Sequence, residues 1–341
     1  MTTERHTRRS AATIEQVAER AGVSRSTVSR VVNGGSRVSP KALEAVQAAI
    51  EDLDYVPNRA ARSLASRQTH AVALVIPEDT NRFFGDPFFA AIVSGINAAM
   101  SESHYVLNLF IASDDPGSKT TRYLTGGNVD GAIVVSHHTA DTFVNRIAEA
   151  VPLVFGGRPA VPAAEDYYVD VDNVAGGRMA TRYLIDAGHR RIATIAGPTT
   201  MPAGEDRLAG FRAELEEAGL EPFAVVPGEF TAEGGAAAAR TLLEHTPGSR
   251  PEAIFAASDL MARGAVRTLM AQGIRVPEDV AVIGFDDSPV AVAEHPHLTT
   301  VRQPSRRQGE VITEVLLARL AGEQPAPATI LDCELVRRQT A

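Results

Sequence analysis

The chain of 341 residues contains no tryptophan, one cysteine (Cys333) and two lysines (Lys41 and Lys119). A single cysteine cannot form an internal disulfide, which fits a reducing cytoplasm. Without tryptophan, any aromatic face offered to a ligand must come from phenylalanine or tyrosine. The scarcity of lysine leaves nearly all positive charge to arginine, a bias given no functional weight. No run of ~18 apolar residues is present, so no membrane span is expected. The N-terminal stretch MTTERHTRRSAATIEQV has arginines but no apolar h-region, so no secretory leader is expected. What remains is an ordinary globular balance, 44% hydrophobic and 22% charged, which excludes a wholly disordered or fibrous chain. The length fits two or three domains.

Charge is unevenly placed. Residues 1–70 carry eleven arginines and lysines against seven acids, a net of +4, while the remainder carries 22 against 35, a net of −13. A small basic head on a large acidic body means that only the head is suited to a polyanion. Charge alone leaves open a tail of solvated arginines.

Within the head, Thr13 precedes the apolar-periodic residues Ile14, Val17, Ala18 and Ala21, and Thr13 to Gln16 has capping-box spacing. Gly22 supplies a tight turn. Ser24 caps a second helix, Arg25 to Val32, with Val28, Val31 and Val32 on its inner face. Asn33-Gly34-Gly35 ends it. Ser39-Pro40 starts a third helix carrying Leu43, Val46, Ile50 and Leu53 at helical spacing. Three short helices around an A-G-V-S turn make a helix-turn-helix unit, whose second helix enters the major groove of DNA. Arg25, Ser26 and Arg30 lie on the polar face of that helix, and arginine pairs bidentately with guanine. Thr13, Ser24, Thr27, Ser29 and Asn33 have short polar side chains suited to phosphates, with Arg37 a further cation. A small protein-docking bundle is the alternative reading.

The run V-A-x-x-A-G-V-S-x-x-T-V-S-R-V-x-N (Val17 to Asn33) and the run Y-V-P-N-x-x-A-x-x-L (Tyr55 to Leu64) resemble the DNA-binding head of LacI/GalR-family repressors. The resemblance implies a hinge helix from Asn58 to about Ala65, with Tyr55, Asn58 and Ala61 at the DNA. Leu64 matches the residue that wedges into the central base step of the minor groove. It implies a head over residues 1–57, a hinge and linker over 58–69 and an effector-binding core over 70–341.

From Ala71 onward short apolar runs alternate with helical patterns. Candidate strands are Ala71–Ile76, Tyr105–Phe110, Gly131–Val135, Leu153–Phe155, Arg191–Ala196, Ala224–Val226, Ala253–Ala256 and Val280–Phe285. Candidate helices are Pro87–Ser101, Asn173–Ala187, Glu205–Ala218, Thr231–Glu244 and Leu260–Gln272. Repeated βα units predict parallel sheets covered by helices, here two doubly wound lobes with a ligand cleft at the strand carboxyl ends. The segments I-A-T-I-A-G-P (Ile192 to Pro198), R-L-A-G-F (Arg207 to Phe211), V-P-E-D-V-A-V-I-G-F-D-D (Val276 to Asp287) and L-T-T-V-R-Q-P (Leu298 to Pro304) resemble the periplasmic-binding-protein-like core of the same family. That implies lobe 1 at about 70–169 plus 300–325 and lobe 2 at about 170–299 plus 326–341.

A sugar site needs charged bidentate partners for vicinal hydroxyls and an apolar face for the ring. Arg207, Ser258, Asp286 and Gln303 match family positions that hold effector hydroxyls, and Phe230 matches a stacking aromatic. Arg207 and Asp286 also read as a structural ion pair. Phe84, Asp86 and Phe88 follow the first strand, where a loop lines the cleft. Where family members often have an acid after the fourth strand, this chain has Gly156-Gly157, which opens space into which Arg158 reaches. This combination resembles the cellobiose-responsive branch of actinobacterial repressors. A different disaccharide, a nucleobase corepressor and an activator role remain alternatives.

Other classes fit less well. Asp286-Asp287 reads as a glycosidase carboxylate pair, but strand neighbours point to opposite faces. His137-His138 hints at a metal, and no Walker, G-x-S-x-G or H-E-x-x-H motif is present. A transporter's solute-binding protein fits the body but not the head. The expectation is therefore a cytoplasmic, nucleoid-associated repressor and not an enzyme, without cofactor or metal. Its partners are double-stranded operator DNA, a small carbohydrate effector and a second copy of itself, with no membrane contact. No C-terminal heptad segment follows Arg338, which favours a homodimer over a tail-mediated tetramer.

Overall fold

The computed structural model of the protein describes residues 12–32, 38–55, 68–244 and 250–341. The chain divides into two compact units, Met1–His70 and Ala71–Ala341.

The first unit holds helices α1 (Ile14–Ala21), α2 (Arg25–Val32) and α3 (Pro40–Asp52). The Thr13 side chain accepts the Gln16 N–H at 3.4 Å, and Gln16 Oε1 accepts the Thr13 N–H at 2.8 Å, a reciprocal capping box. Gly22 lies at φ 65°, the left-handed conformation the turn requires. Ser24 Oγ accepts the Thr27 N–H at 3.2 Å, and Ser39 Oγ accepts the Ala42 N–H at 3.3 Å ahead of Pro40. The apolar stripes meet in a core of Val17, Ala18, Val28, Val46, Ala49 and Tyr55. Tyr55 closes this small core at 8% exposure. Asn33, Arg37, Asn58, Ala61 and Leu64, together with the hinge helix, lie outside the described residues.

The second unit is built on two six-stranded sheets. The first contains β1 (Ala71–Ile76), β2 (Val106–Ile111), β3 (Gly131–Val135), β4 (Leu153–Gly156), β5 (Tyr167–Val171) and β11 (Ala328–Leu331), in the order β11-β5-β4-β3-β1-β2. The second contains β6 (Ile192–Ala196), β7 (Ala224–Pro227), β8 (Ala253–Ala256), β9 (Ala281–Asp286), β10 (Thr299–Arg302) and β12 (Glu334–Val336), in the order β12-β10-β9-β8-β6-β7. All pairings are parallel except β10 with β12. Central strands such as AVALVI and GAIVV are buried almost throughout, as parallel strands covered on both faces must be.

The eight candidate strands occur, with ends shifted by a residue or so. The five candidate helices occur as α5 (Pro87–Ser101), α8 (Asn173–Asp186), α9 (Pro202–Glu217), α10 (Ala232–Glu244) and α11 (Asp259–Ala271). The sequence reading missed α4 (Thr80–Gly85), α6 (Lys119–Tyr123), α7 (Phe143–Ala148), α12 (Val290–Ala293) and α13 (Ser305–Leu320).

The division between lobes differs from the expected one. β10 pairs with β9 and so belongs to the second sheet up to Arg302, whereas the resemblance puts Thr300 onward in lobe 1. β11 pairs with β5 in the first sheet, although residues 326–341 were expected in lobe 2. Only β12 joins the second sheet there. The chain thus crosses between sheets after β5, after β10 and after β11. The second crossing carries α13 back onto α5 and the first sheet.

Candidate functional site

The head presents a polar helix face. Arg25 and Ser26 are exposed in the first turn of α2 and Arg30 in its last, while Thr27 and Ser29 are half-buried. Ser24 Oγ lies 2.8 Å from Ser26 Oγ and 2.9 Å from Thr27 Oγ1, which ties three hydroxyls at the helix start. Arg25 Nε sits 3.2 Å from Glu15 Oε1 on α1, with both side chains more than half exposed. An exposed pair of this kind contributes little.

The core holds a cleft between the two sheets, lined by residues from both lobes. From the first lobe come Arg82, Asp86, Phe88, Gly156, Gly157 and Gln308. From the second come Arg207, Phe230, Ser258, Asp286 and Gln303, with Asp170 and Asn173 at the first crossing. Seven residues chosen from the sequence therefore meet in one place: Asp86, Phe88, Arg207, Phe230, Ser258, Asp286 and Gln303. Asp86 and Phe88 sit at the start of α5, Arg207 in the second turn of α9, and Phe230, Ser258, Asp286 and Gln303 at or within a few residues of a strand end. Glu229 (φ 54°), Phe230 (φ 53°), Asp286 (φ 117°) and Asp287 (φ 54°) all adopt the left-handed region there, strain of a kind that gathers at binding sites.

Arg207 is the hub. Its Nε donates to Asn173 Oδ1 at 2.9 Å and its Nη1 to the Ala257 carbonyl at 2.6 Å, and Nη1 lies 3.5 Å from Asp286 Oδ1. The guanidinium also lies 3.6 Å from the Phe285 ring centroid and 5.5 Å from that of Phe230. Gln303 Nε2 donates to Asp286 Oδ1 at 2.6 Å. Burial pushes the Asp286 carboxyl well above its ordinary range against the pull of Arg207. Asp86 and Asp170 are raised by burial as well. Asp86 also caps α5 through the Phe88 N–H at 3.0 Å. The Ser258 hydroxyl caps α11 through the Met261 N–H at 3.3 Å. Acceptors, fixed guanidinium donors and two phenyl faces in one cleft are the chemistry of a neutral polyhydroxyl ligand.

Two expected site residues lie elsewhere. Phe84 is 78% exposed and meets Phe83 edge-on at 5.0 Å, because α4 turns it outward. The same helix brings Arg82 to the cavity instead. The Arg158 side chain does not line the cavity: Asp206 on α9 takes its guanidinium bidentately at 2.8 and 3.3 Å, and only its backbone N–H serves the site, donating to Asp170 at 2.8 Å. Arg82, Asp170, Asn173 and Gln308 went unread. Arg82 and Asp86 form an i,i+4 ion pair at 3.5 Å, a spacing visible in the sequence. Asp170 and Asn173 fall on a strand and a crossing that the sequence reading did not identify.

Residues 13–58 match the model of bacterial regulatory proteins of the lacI family, and residues 181–341 match that of a periplasmic binding protein-like domain. The chain is 47% identical to the HTH-type transcriptional regulator CelR of Thermobifida fusca, over 98% of this chain and 99% of that protein. The chain belongs to the lacI family. It is also 37% identical to the ribose operon repressor of Escherichia coli strain K12, over 91% and 93% of the two chains. Among solved structures it is similar to a transcriptional regulator CelR–cellobiose complex, with 45% identity, a TM-score of 0.77 and coverage of 97% and 100%. It is similar too to the lac repressor dimer bound to operator and an anti-inducer, with 29% identity, a TM-score of 0.84 and coverage of 97% and 99%.

Membership in a family of regulators answers the enzymatic reading of this lacI-family chain. The geometry agrees: Asp286 faces the cavity, while Asp287 Oδ2 accepts from Arg302 at 2.8 Å and its other oxygen from Arg338. His137 is buried and accepts the Ala160 N–H at 2.9 Å, and its imidazole is pushed down to about 4 by burial. His138 pairs with Glu78 at 3.3 Å, which raises its pKa. Among the described residues no group of three or more His, Cys, Asp or Glu is placed to hold a metal. Among them, no helix is long and apolar enough to cross a membrane.

Proposed function

We propose that this chain is a cytoplasmic, nucleoid-associated repressor of carbohydrate-utilisation genes, released from its operator by cellobiose or a related β-linked oligosaccharide. A homodimer places two heads in successive major grooves of a palindromic site. Arg25, Ser26 and Arg30 read bases; Thr13, Ser24, Thr27 and Ser29 set register on phosphates. Leu64, with Asn58 and Ala61, belongs to a hinge that orders on DNA. Arg207, Asp286, Gln303, Ser258 and Asp86 hold sugar hydroxyls, and Phe88 and Phe230 cover the apolar ring faces.

The observation that carries this reading is the cleft: acceptor-rich, phenyl-lined and with a central buried arginine, in a chain 47% identical to CelR. A ligand that bridges Asp86 and Gln308 to Arg207 and Asp286 fixes the two lobes in one arrangement.

The test is fluorescence anisotropy on a labelled palindrome selected by the protein from random DNA. Cellobiose, cellotriose, maltose, ribose and guanine are titrated into the preformed complex. Release by a β-linked glucan alone supports the reading. Release by another compound names a different effector, and tightening shows a corepressor.

A further inference from the structure

Asp259 is a buried acid behind the effector site. It is the first residue of α11, it is 0% exposed, and it does not line the cleft. Its carboxylate ties three segments of the second lobe. Oδ1 accepts the Thr300 hydroxyl of β10 at 2.6 Å, and Oδ2 accepts the Ser288 N–H, just beyond β9, at 2.8 Å. β9 itself passes so close that a Cβ on Gly284 would lie 2.3 Å from Oδ1. Both donors are uncharged, and a buried carboxylate held by neutral donors is costly. The N-terminus of α11 offsets only part of that cost.

The charges around it do not balance. The Asp259 backbone N–H serves the Asp286 carboxyl, so the two acids share one buried region. The guanidinium that meets this pair is Arg207, 3.5 Å from Asp286 Oδ1. Asp287, beside Asp259, is engaged by Arg302 and Arg338. Arg263, one turn along α11, gives its N–H groups to backbone carbonyls between Val290 and Pro296. Asp86, across the cleft, repels Asp286 and pairs with Arg82. Two buried carboxyls thus face one guanidinium, and the interior holds an unbalanced charge poorly.

We propose that Asp259 balances the charge of the effector site by holding a proton, which lets Asp286 stay ionised to accept effector hydroxyls, and that effector binding therefore takes up a proton from solvent. This rests on the sugar reading above and adds its regulation: the effector binds more tightly as pH falls. Burial first, and then the Asp287 charge, pushes the Asp259 carboxyl up to about 7 against the donors Thr300 and Ser288. Arg207, together with Gln303 Nε2 at 2.6 Å, favours the charge on Asp286, so the proton goes to Asp259. It is accommodated without a lost bond. A protonated Oδ1 donates to Thr300 Oγ1, which turns from donor to acceptor, and Oδ2 keeps the Ser288 N–H. A sugar hydroxyl donated to Asp286 stabilises that carboxylate, and repulsion between the two acids then raises the proton affinity of Asp259.

The test is isothermal titration of the full chain with cellobiose from pH 6 to 8. If binding raises the proton affinity of Asp259 tenfold, cellobiose binds about fivefold tighter at pH 6 than at pH 8 and takes up about half a proton at pH 7.5, read from buffers of different ionisation enthalpy. Asp259→Asn copies the protonated acid, its amide donating to Thr300 and its carbonyl accepting from Ser288. That variant is expected to bind cellobiose at pH 8 as tightly as the unsubstituted protein does at pH 6, with no proton uptake. Thr300→Val removes a donor to the ionised form and is expected to move the pH profile upward, a second reading that stands if the asparagine variant does not fold. An unchanged pH profile and proton uptake in Asp259→Asn overturns the proposal and assigns the linkage to Asp86 or Asp170. Weaker binding by that variant at every pH also overturns it, since Asp259 is then an anchor that must be ionised. If the unsubstituted protein binds no cellobiose, the effector reading falls. Carboxyl ¹³C NMR of the free protein then decides on the proton alone: an Asp259 midpoint of about 7 keeps it, and one of about 4 overturns it.

Discussion

Gly197 offers a way to move one wall of the cavity without touching it. A Cβ at that position would lie 2.2 Å from Phe230 Cζ and 2.4 Å from Cε1. Ordinary contact needs at least 3.4 Å, so the ring must retreat by more than an ångström. Phe230 is 5% exposed, and both it and Glu229 already hold left-handed backbone, so the loop has little freedom to follow. Gly197→Ala is therefore expected to cost ~1–3 kcal/mol of stability through overpacking. It is also expected to weaken effector binding at least tenfold, because the displaced ring is one wall of the cavity. Phe230→Ala alone is expected to cost ~3 kcal/mol. The three nearest atoms to that Cβ all belong to the Phe230 ring, so without the ring the main clash is gone and the double substitution should come close to Phe230→Ala. The coupling energy should then be ~1–3 kcal/mol, of opposite sign to the first loss. Urea unfolding and calorimetric titration of the four proteins complete the cycle. Additive losses, or unchanged effector affinity in Gly197→Ala, would refute the account of this wall.

Three further outcomes follow from the same geometry. Folded His137 refuses the proton that the unfolded chain accepts below its ordinary pKa of 6.5, and its own pKa is held at about 4, so its contribution is intact above 6.5 and is lost as pH falls toward 4. Between pH 7 and 4.5 the unsubstituted protein should lose ~2 kcal/mol more than His137→Leu, read as the difference in acid slope by urea unfolding. Thr13→Ala removes one half of the capping box and should destabilise the head by ~1 kcal/mol, seen as faster hydrogen exchange of α1 amides with the core melt unchanged. Arg25→Ala should relax discrimination at one base pair by ~1–3 kcal/mol, and an equal loss on every DNA sequence would reassign Arg25 to a phosphate.

The head was legible almost to the residue because its signals are local. A capping box, a left-handed glycine and a proline at the first helical position each act within four residues. What the motif position of Tyr55 does not reveal is that its ring packs into the core of this small three-helix unit. In the body, buried strands announced themselves as apolar runs. β5 and β10 did not, although largely buried, because Asp170, Thr299 and Thr300 break their apolar character, and β11 and β12 are short edge strands with no fully buried residue. Lobe membership is not local: β10 and β11 lie on opposite sides of a helix that crosses between lobes, and only pairing with β9 and β5 assigns them. The site followed the same division. Residues in or just beyond strand ends were found from motifs. Phe84 and Arg82 exchanged places through the phase of one short helix, and the direction of Arg158 is set by Asp206, 48 positions away.

The central claim is that the core cavity and the DNA-reading head are thermodynamically linked. The direct test is the cellobiose affinity of the free protein against that of the operator-bound protein, at one salt concentration. Linkage requires operator to weaken cellobiose binding by the same factor as cellobiose weakens operator binding, typically ~1–3 kcal/mol, or roughly five- to 150-fold. The account predicts equal factors within error. Equal cellobiose affinity for the two states would contradict it, and would leave the cavity a binding site without control over the head.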